Sequence, residues 1–484
     1  MTQETAPRER TFFGQPPVLA NLFGVELWER FSFYGMQGIL LIYLYYSAAD
    51  GGLGLSEQTA TSIVGAYGGS VYLATILGAW VADRLLGPER VLFLSAVLVM
   101  AGHISLAALP GLTGVTVGLI LIAIGSGGVK ATATSLVGGL YDEHDERRDA
   151  GFSLFYLGIN LGALVGPLLT GLLQKNWGFH AGFALAAVGM AIGLIQYTLG
   201  RKRLTGAARD VPNPLPPQRR LPVALLVAAA AVLVLVLALT GVLRASALSN
   251  VVIVLSAAAA VAYFVVILRS RRITDVERRR VYAFIPLFVA SAVFWSLYQQ
   301  QFTVVTIYSD QRLDRNLFGW EMPVSWVQSI NPVFIIVLSG VFAALWTRLG
   351  PRQPGTPIKF AAGTAIMGVA FLLFLPLAGG GPNSAPLLAL AGILLVFTVA
   401  ELLLSPVGLS LSTKLAPAVF HTQMVALFFL SVALGTAASG TLAKYYSEDH
   451  ETAYFGILGL VAIVIGAALA LAARPISRLM SGVR

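Results

Sequence analysis

Uncharged apolar runs of about 20 residues recur along the whole 484-residue chain, separated by polar connections. Each run is long enough for a helix to cross a hydrocarbon core of about 30 Å. Some fourteen spans are predicted, at 18–46, 58–83, 89–109, 113–137, 150–173, 179–200, 221–243, 246–268, 281–307, 323–347, 357–378, 386–413, 419–445 and 452–474. The seventh, "LPVALLVAAAAVLVLVLALTGVL", carries no ionisable or amide side chain, and the eighth is similarly bland, so this pair reads as lipid-facing filler. Setting it aside leaves six spans on either side, the parity of two six-helix bundles around a central cavity. The expected organisation is a bundle over 1–200, two basic linkers with two extra helices over 201–280, and a second bundle over 281–484.

Composition agrees with an all-α integral membrane protein. At 57% hydrophobic and 11% charged, the chain has more apolar surface than a soluble fold could cover. The opening "MTQETAPRERTFFGQPP" is polar, so no cleavable signal peptide is expected. The absence of cysteine excludes disulfides, thiolate catalysis and cysteine metal sites.

The net charge of +9 is not a nucleic-acid signal, because its distribution follows the spans. One set of alternate connections carries Arg8, Arg10, Arg84, Arg90, Arg147 and Arg148. The same set carries "RKRLTGAARDVPNPLPPQRR", "RSRRITDVERRR", Arg348, Arg352, Lys414, Arg474, Arg478 and Arg484. The other set has only Lys175, Arg244, Arg312, Arg315 and Lys444. The bias predicts two cytoplasmic termini, as an even span count requires.

A charge at mid-bilayer costs about 2.5–3.5 kcal/mol on insertion scales, so the intramembrane charges are the informative residues. In "ELWERFSFYG" and the residues after it, Glu26, Glu29, Arg30, Phe33 and Gln37 share one helix face. Glu26 and Arg30 form an i,i+4 pair beside Glu29. The competing reading of this cluster is an interfacial anchor. Lys130 stands alone in "LIAIGSGGVKATATSLVGG", and Glu401 alone in "LVFTVAELLLSPVGLSLSTKLAP". Each needs a counter-charge. Lys130 pairs either with Glu401, as a latch between the bundles, or with Glu29, and spacing leaves both open.

Gly158, Gly162 and Gly166 form a small-residue stripe for close helix packing, and Gly125, Gly127 and Gly128 do the same beside Lys130. "GSGGVK" lacks phosphate-loop spacing. Asn160 lies in the first stripe, to join helices or touch a ligand. Asn331 precedes Pro332, and Ser405 precedes Pro406, so broken helices are expected at both prolines. Tyr34, Tyr67, Tyr72, Tyr156, Trp295 and Tyr298 supply amphipathic aromatics. His103 reads as a satisfied core residue, and His144, His180, His421 and His450 sit at loop edges.

These motifs resemble those of the proton-dependent oligopeptide transporters, the peptide branch of the major facilitator superfamily. "ELWERFSFYG" is similar to the family's E-x-x-E-R-F-x-(Y/F)-Y-G signature. "GSGGVK", "FYLGINLGALVGPLL", "FWSLYQQ", "WVQSINPVFII" and "ELLLSPVGLSLSTKLAP" resemble further family motifs in the same order. "GAWVADRLLG" resembles the superfamily's loop between the second and third spans. The resemblance covers about 15–475.

It implies a major facilitator fold, and a proton-coupled symporter that imports di- and tripeptides by alternating access in the inner membrane. No cofactor, nucleic acid or enzymatic chemistry is implied, and the expected state is a monomer. Proton coupling is implied for Glu26, Glu29, Arg30 and Glu401. Arg30 and Lys130 are implied to hold the peptide carboxylate, and Glu401, Asn331 and Asn160 its amine and backbone. Tyr34, Tyr72, Trp295 and Phe428 match aromatic pocket positions, and Ser431 a pocket position of the eleventh core helix.

Two departures bear on this. Gln299 stands where many members have a carboxylate, and Gln37 where many have a second arginine. Both positions stay in the expected substrate site, but coupling falls on Glu26, Glu29 and Glu401, and carboxylate binding on Arg30 and Lys130. Phe33 and Phe428 replace a common tyrosine and tryptophan. The alternative is a same-fold carrier of a non-peptide substrate such as nitrate, another organic anion, a glycoside or a drug-like molecule, against which the intact "ELWER" argues. A membrane enzyme would need a nucleophile–base set or metal ligands, and no such constellation is visible. A channel would not accumulate its solute.

Overall fold

The computed structural model describes residues 11–142, 145–204 and 206–483. Arg8, Arg10, His144 and Arg484 lie outside the described residues. The α-helices are α1 (Pro17–Tyr45), α2 (Glu57–Val81), α3 (Pro88–Ala108), α4 (Gly111–Gly138), α5 (Arg148–Trp177), α6 (Phe179–Gly200), α7 (Pro217–Leu239) and α8 (Leu248–Arg269). They continue as α9 (Asp275–Tyr298), α10 (Val304–Gln311), α11 (Ile330–Leu349), α12 (Thr356–Leu372), α13 (Leu387–Lys414), α14 (His421–Leu442), α15 (Glu451–Leu471) and α16 (Ala473–Leu479). Among the described residues, thirteen helices are long and apolar enough to cross a membrane. α1, at 29 residues, is the fourteenth by length. Its Glu26, Glu29, Arg30 and Gln37, all buried, lower its hydropathy.

Helix starts follow local chemistry. Ser56 caps α2 by accepting from the Thr59 amide, and Thr274 and Glu277 form a reciprocal capping box at α9. Gly87 opens α3 at φ 83°, a left-handed conformation that favours glycine, and Pro88 follows in the first turn. A Cβ at Gly87 would also lie 2.5 Å from the Arg209 carbonyl, because the segment after α6 folds back beneath this turn. Buried Glu89 holds that segment through Arg201 at 2.6 Å.

α1 packs on α5 and α6, α3 on α4 and α6, and α2 on α4. In the second half, α12 packs on α13 and α15, α14 on α9, and α11 on α13. The halves meet where α2 crosses α14 and where α5 meets α11 and the 3₁₀ turn before it, Val324–Ser329. The hydrogen bonds joining them gather at the end away from the basic connections. Ser329 donates to the Leu164 carbonyl, Ser325 to Pro167 and Trp326 to Leu168. Tyr45 and Tyr46 both donate to Asp310, at 2.6 and 2.7 Å, and Gln311 donates to Glu57. Toward the basic end the seam is open, and Tyr156 on α5 is 43% exposed.

Three local readings change. No described residue of α7 is buried, as filler should be, but α8 is more than filler. Its Ser249 hydroxyl lies 3.1 Å from Ser62 on α2 and 2.8 Å from Thr441 on α14, so α8 ties the two halves together. Pro332 does not break a helix: it sits in the first turn of α11, where its missing N–H costs nothing. α13 runs through Pro406. The break falls instead after Tyr298, where Gln299–Phe302 form a 3₁₀ turn and Thr303 (φ −124°, ψ −95°) separates α9 from α10.

The α2–α14 crossing depends on bare backbone. A Cβ at Gly440 would lie 2.5 Å from the Thr61 carbonyl and 2.9 Å from the Gly65 Cα, whereas one at Gly340 on α11 meets nothing within 4 Å. Gly440→Ala should therefore cost about 1–3 kcal/mol of overpacking and lower the melting temperature in detergent. Gly340→Ala should hold or raise it through helix propensity. Equal melting temperatures would show that the crossing tolerates a methyl group.

Candidate functional site

Small residues bring the charges of α1 into the interior. A Cβ at Gly162 on α5 would sit 2.4 Å from the Leu27 carbonyl and 2.8 Å from the Arg30 Cβ, and one at Gly166 would sit 2.4 Å from the Phe31 carbonyl. The glycine stripe thus lets α5 lie against the backbone that carries Arg30. α4 is drawn in likewise, with Gly127 against Ala74 and Thr75 of α2, and Gly125 against Ser95 and Val99 of α3. Ser126 and Lys130, four residues apart, then share one face of α4.

The result is a buried ion-pair cluster. Glu26, Glu29 and Arg30 are 3%, 0% and 2% exposed, which sets aside the interfacial-anchor reading. Arg30 Nε donates to Glu26 Oε1 at 2.9 Å and lies 2.8 Å from Glu29 Oε2. The second approach is a charge contact without the alignment of a hydrogen bond. Ser126 Oγ donates to the other Glu29 oxygen at 2.6 Å. Glu26 Oε2 and Arg30 Nη2 have no hydrogen-bond partner. The guanidinium also lies 5.6 Å from the Phe33 ring centre, and Phe33 stacks on Tyr67 at 5.9 Å.

Lys130 takes neither carboxylate within ion-pair distance. Its Nζ stands 4.3 Å above the Tyr72 ring, a cation–π contact. Glu401 faces the same seam from α13. Its Oε2 accepts from the Tyr298 hydroxyl at 2.7 Å and from Asn331 Nδ2 at 3.4 Å, while Asn331 also donates to Thr398 at 2.9 Å. The latch between Lys130 and Glu401 is therefore not formed in this arrangement. The cationic cluster thus sits on α1 and α4 of the first half, and the anionic one on α13 of the second.

The other expected residues distribute around these clusters. Asn160 donates to the Tyr156 carbonyl within its own helix at 2.9 Å. Gln37 is buried with Oε1 unpartnered, Trp295 is buried with Nε1 unpartnered, and Gln299 is buried in the turn after α9. Tyr34 stacks near Phe302, with ring centres 6.2 Å apart. Phe428 closes over Gly408 of α13. Ser431 is fully buried, 2.8 Å from Ser291, and donates to the Phe428 carbonyl, so its hydroxyl is spent between α9 and α14. His103 is buried in α3 with neither ring nitrogen partnered, contrary to the reading as a satisfied core residue.

Sequence reasoning missed Ser126, Thr398 and Gln328. Ser126 was visible in the spacing to Lys130, one helical turn away. Gln328, whose Oε1 is buried and unpartnered beside Gly38 of α1, and Thr398, an ordinary polar residue of a span, had no local signal. Among the described residues no cluster of histidine and carboxylate suits a metal ion. The arrangement offers cations on one wall and a carboxylate held by a tyrosine and an amide on the other, in a seam open at one end. It can hold a ligand with opposite charges at its two ends.

Comparison with known proteins agrees with this geometry. The family model described as POT family matches residues 89–461. The chain is 41% identical over 478 residues to the uncharacterized transporter YclF of Bacillus subtilis (strain 168), covering 98% of this chain and 97% of that one. It is 40% identical over 491 residues to a di-/tripeptide transporter of Lactococcus lactis subsp. cremoris, covering 98% and 99%. A crystal structure of a point mutant of peptide transporter POT in complex with alafosfalin superposes with a TM-score of 0.93 at 44% identity, covering 98% of both chains.

Removing one member of a buried ion pair strands the others, at a cost of about 3–5 kcal/mol. Arg30→Met should therefore lower the melting temperature sharply, and adding Glu29→Gln should recover much of the loss. A single variant that melts like the unmodified protein would mean the carboxylates are neutral or hydrated without Arg30.

Proposed function

This chain belongs to the POT family, and on that premise we propose that it imports di- and tripeptides together with protons across the bacterial inner membrane by alternating access. The observation that carries the reading is the opposed pair of clusters. Arg30 and Lys130 would take the peptide carboxylate, and Glu401, held by Tyr298 and Asn331, its ammonium group. The side chains of the peptide would meet Tyr34, Tyr72, Trp295 and Phe428. Gln37, Asn160 and Gln299 belong to the same proposed site, and Ser431 would serve it from behind, by fixing α14 and Phe428 against α9. Both termini in the cytoplasm fit the basic bias of the connections, and the proposed state is a monomer.

The halves 1–200 and 281–484 would rock against each other, with 201–280 as connection. With the seam open toward the basic end, the arrangement is that of a carrier facing the cytoplasm. Alternating access would open the stitched end and close the other, and the same motion could bring Lys130 to Glu401.

Coupling follows from the ion-pair cluster. A proton taken by Glu26 or Glu29 weakens its attraction for Arg30 and releases the guanidinium toward the substrate. Glu26 Oε2, which has no partner, is a place for that proton that leaves the Oε1 contact to be broken last. Because residues 37 and 299 are glutamines, they cannot take part in this titration. A gradient of 100 mV supplies about 2.3 kcal/mol per charge, roughly 50-fold accumulation for one proton.

The test is uptake of labelled dialanine by proteoliposomes under an inward proton gradient. Accumulation that collapses with a protonophore and competes with unlabelled tripeptide is expected. No uptake by folded protein would favour a non-peptide substrate, for which the uncharged Gln37 and Gln299 would be the first places to look. Glu29→Gln should abolish accumulation while sparing counterflow exchange, and wild-type accumulation would remove Glu29 from coupling. Glu401→Gln should raise KM for dialanine more than for an analogue lacking the amine, and an equal rise for both would place the ammonium elsewhere.

A further inference from the structure

A second group of charges lines the basic end of this seam, where Tyr156 of α5 borders a cavity that runs into the second half. At the basic end of the second half, α11, α12, α13 and the residues around α16 enclose this cavity, of about 1320 Å³. Among the described residues its walls carry Lys359 and Arg478 and no carboxylate. Lys359 Nζ stands 4.1 Å above the Trp346 ring and donates to Gln353 at 3.0 Å, so its charge is placed but not neutralised. The N-terminus of α12 opens into the same cavity. Gly355 and Thr356 line it, and no side chain caps the helix. Lys359, Arg478 and a helix N-terminus therefore converge on one volume, the combination that favours an anion with several acceptor oxygens.

We propose that this cavity binds a phosphate group, supplied by the headgroup of an anionic membrane lipid. Size argues for a lipid over a small ion, since the space exceeds the roughly 300–1,000 Å³ of ordinary small-ligand pockets. The walls argue likewise, because Phe342, Trp346, Leu402 and Leu409 offer apolar surface next to the cations. On α11 an exposed stripe of Val333, Val337, Val341 and Leu345, four residues apart, runs along the helix toward the cavity and gives an acyl chain a track. A basic pocket between helix ends at the side of the positive connections is where an anionic headgroup would dock.

The inference is tested on the full chain, purified in detergent and stripped of lipid, by native mass spectrometry with titrated phosphatidylglycerol, phosphatidylcholine and inorganic phosphate. The unmodified protein should bind one phosphatidylglycerol more tightly than any phosphatidylcholine. Lys359→Gln with Arg478→Gln should weaken that first binding roughly thirtyfold, the order expected for two cations facing a headgroup. If the double variant does not fold, Arg478→Gln alone should weaken it about fivefold. Lys359→Arg, which keeps the charge, should preserve binding. Unchanged phosphatidylglycerol affinity in the glutamine variants would overturn the site. Displacement of the lipid by inorganic phosphate at equal concentration would overturn the lipid as its source.

Discussion

Three charges that water barely reaches govern this structure. Glu26, Glu29 and Arg30 occupy a helix buried on nearly every side, and none could stay ionised there alone. Their mutual attraction, two carboxylates on one guanidinium, requires Arg30 to be held where its Nε meets both. That in turn requires the glycines of α5 to admit the α1 backbone, and α4 to bring Ser126 within reach of Glu29. The small residues of the first half and its charges are therefore one design. With Glu26 Oε2 and Arg30 Nη2 left without partners the cluster is also easily upset, since one added proton changes the net charge of the set.

The two halves use different chemistry to meet. At the stitched end the donors are side chains, and several acceptors are backbone carbonyls around Pro167, whose missing N–H leaves α5 short of one internal bond. Such contacts are directional but modest, about 0.5–1.5 kcal/mol each, so they can be exchanged without dismantling either bundle. Along α2 and α14 the meeting is by backbone proximity at glycine, which allows sliding more readily than interlocked large side chains do. α8 spans this crossing through Ser249, so any relative movement there must be shared with it or break one of its two hydroxyl contacts.

Much of this was legible in the sequence, and what was not has identifiable causes. The spans, their number and the charged cluster follow from the cost of polar groups in hydrocarbon, which leaves a strong one-dimensional trace. The glycine stripes declare close packing by spacing alone. The break after Tyr298 left no trace, because "YQQQFT" contains neither glycine nor proline, and Thr303 is held instead by its amide and hydroxyl donating to Gln300. Pro332 and Pro406 misled in the opposite sense: one starts a helix and the other is carried within one. The bridging part of α8 rests on Ser249, a residue too ordinary in a membrane helix to stand out. The partners of Lys130 and Glu401 depend on how the halves are disposed, which no linear spacing encodes.

α7 stands apart from all of this, with none of its described residues buried. The chain also contains no native thiol. A cysteine set on that helix would be a single chemical address on a mast beside the machinery. Paired with a second label on either bundle, a fluorophore or spin label there reports how far that bundle travels relative to the mast.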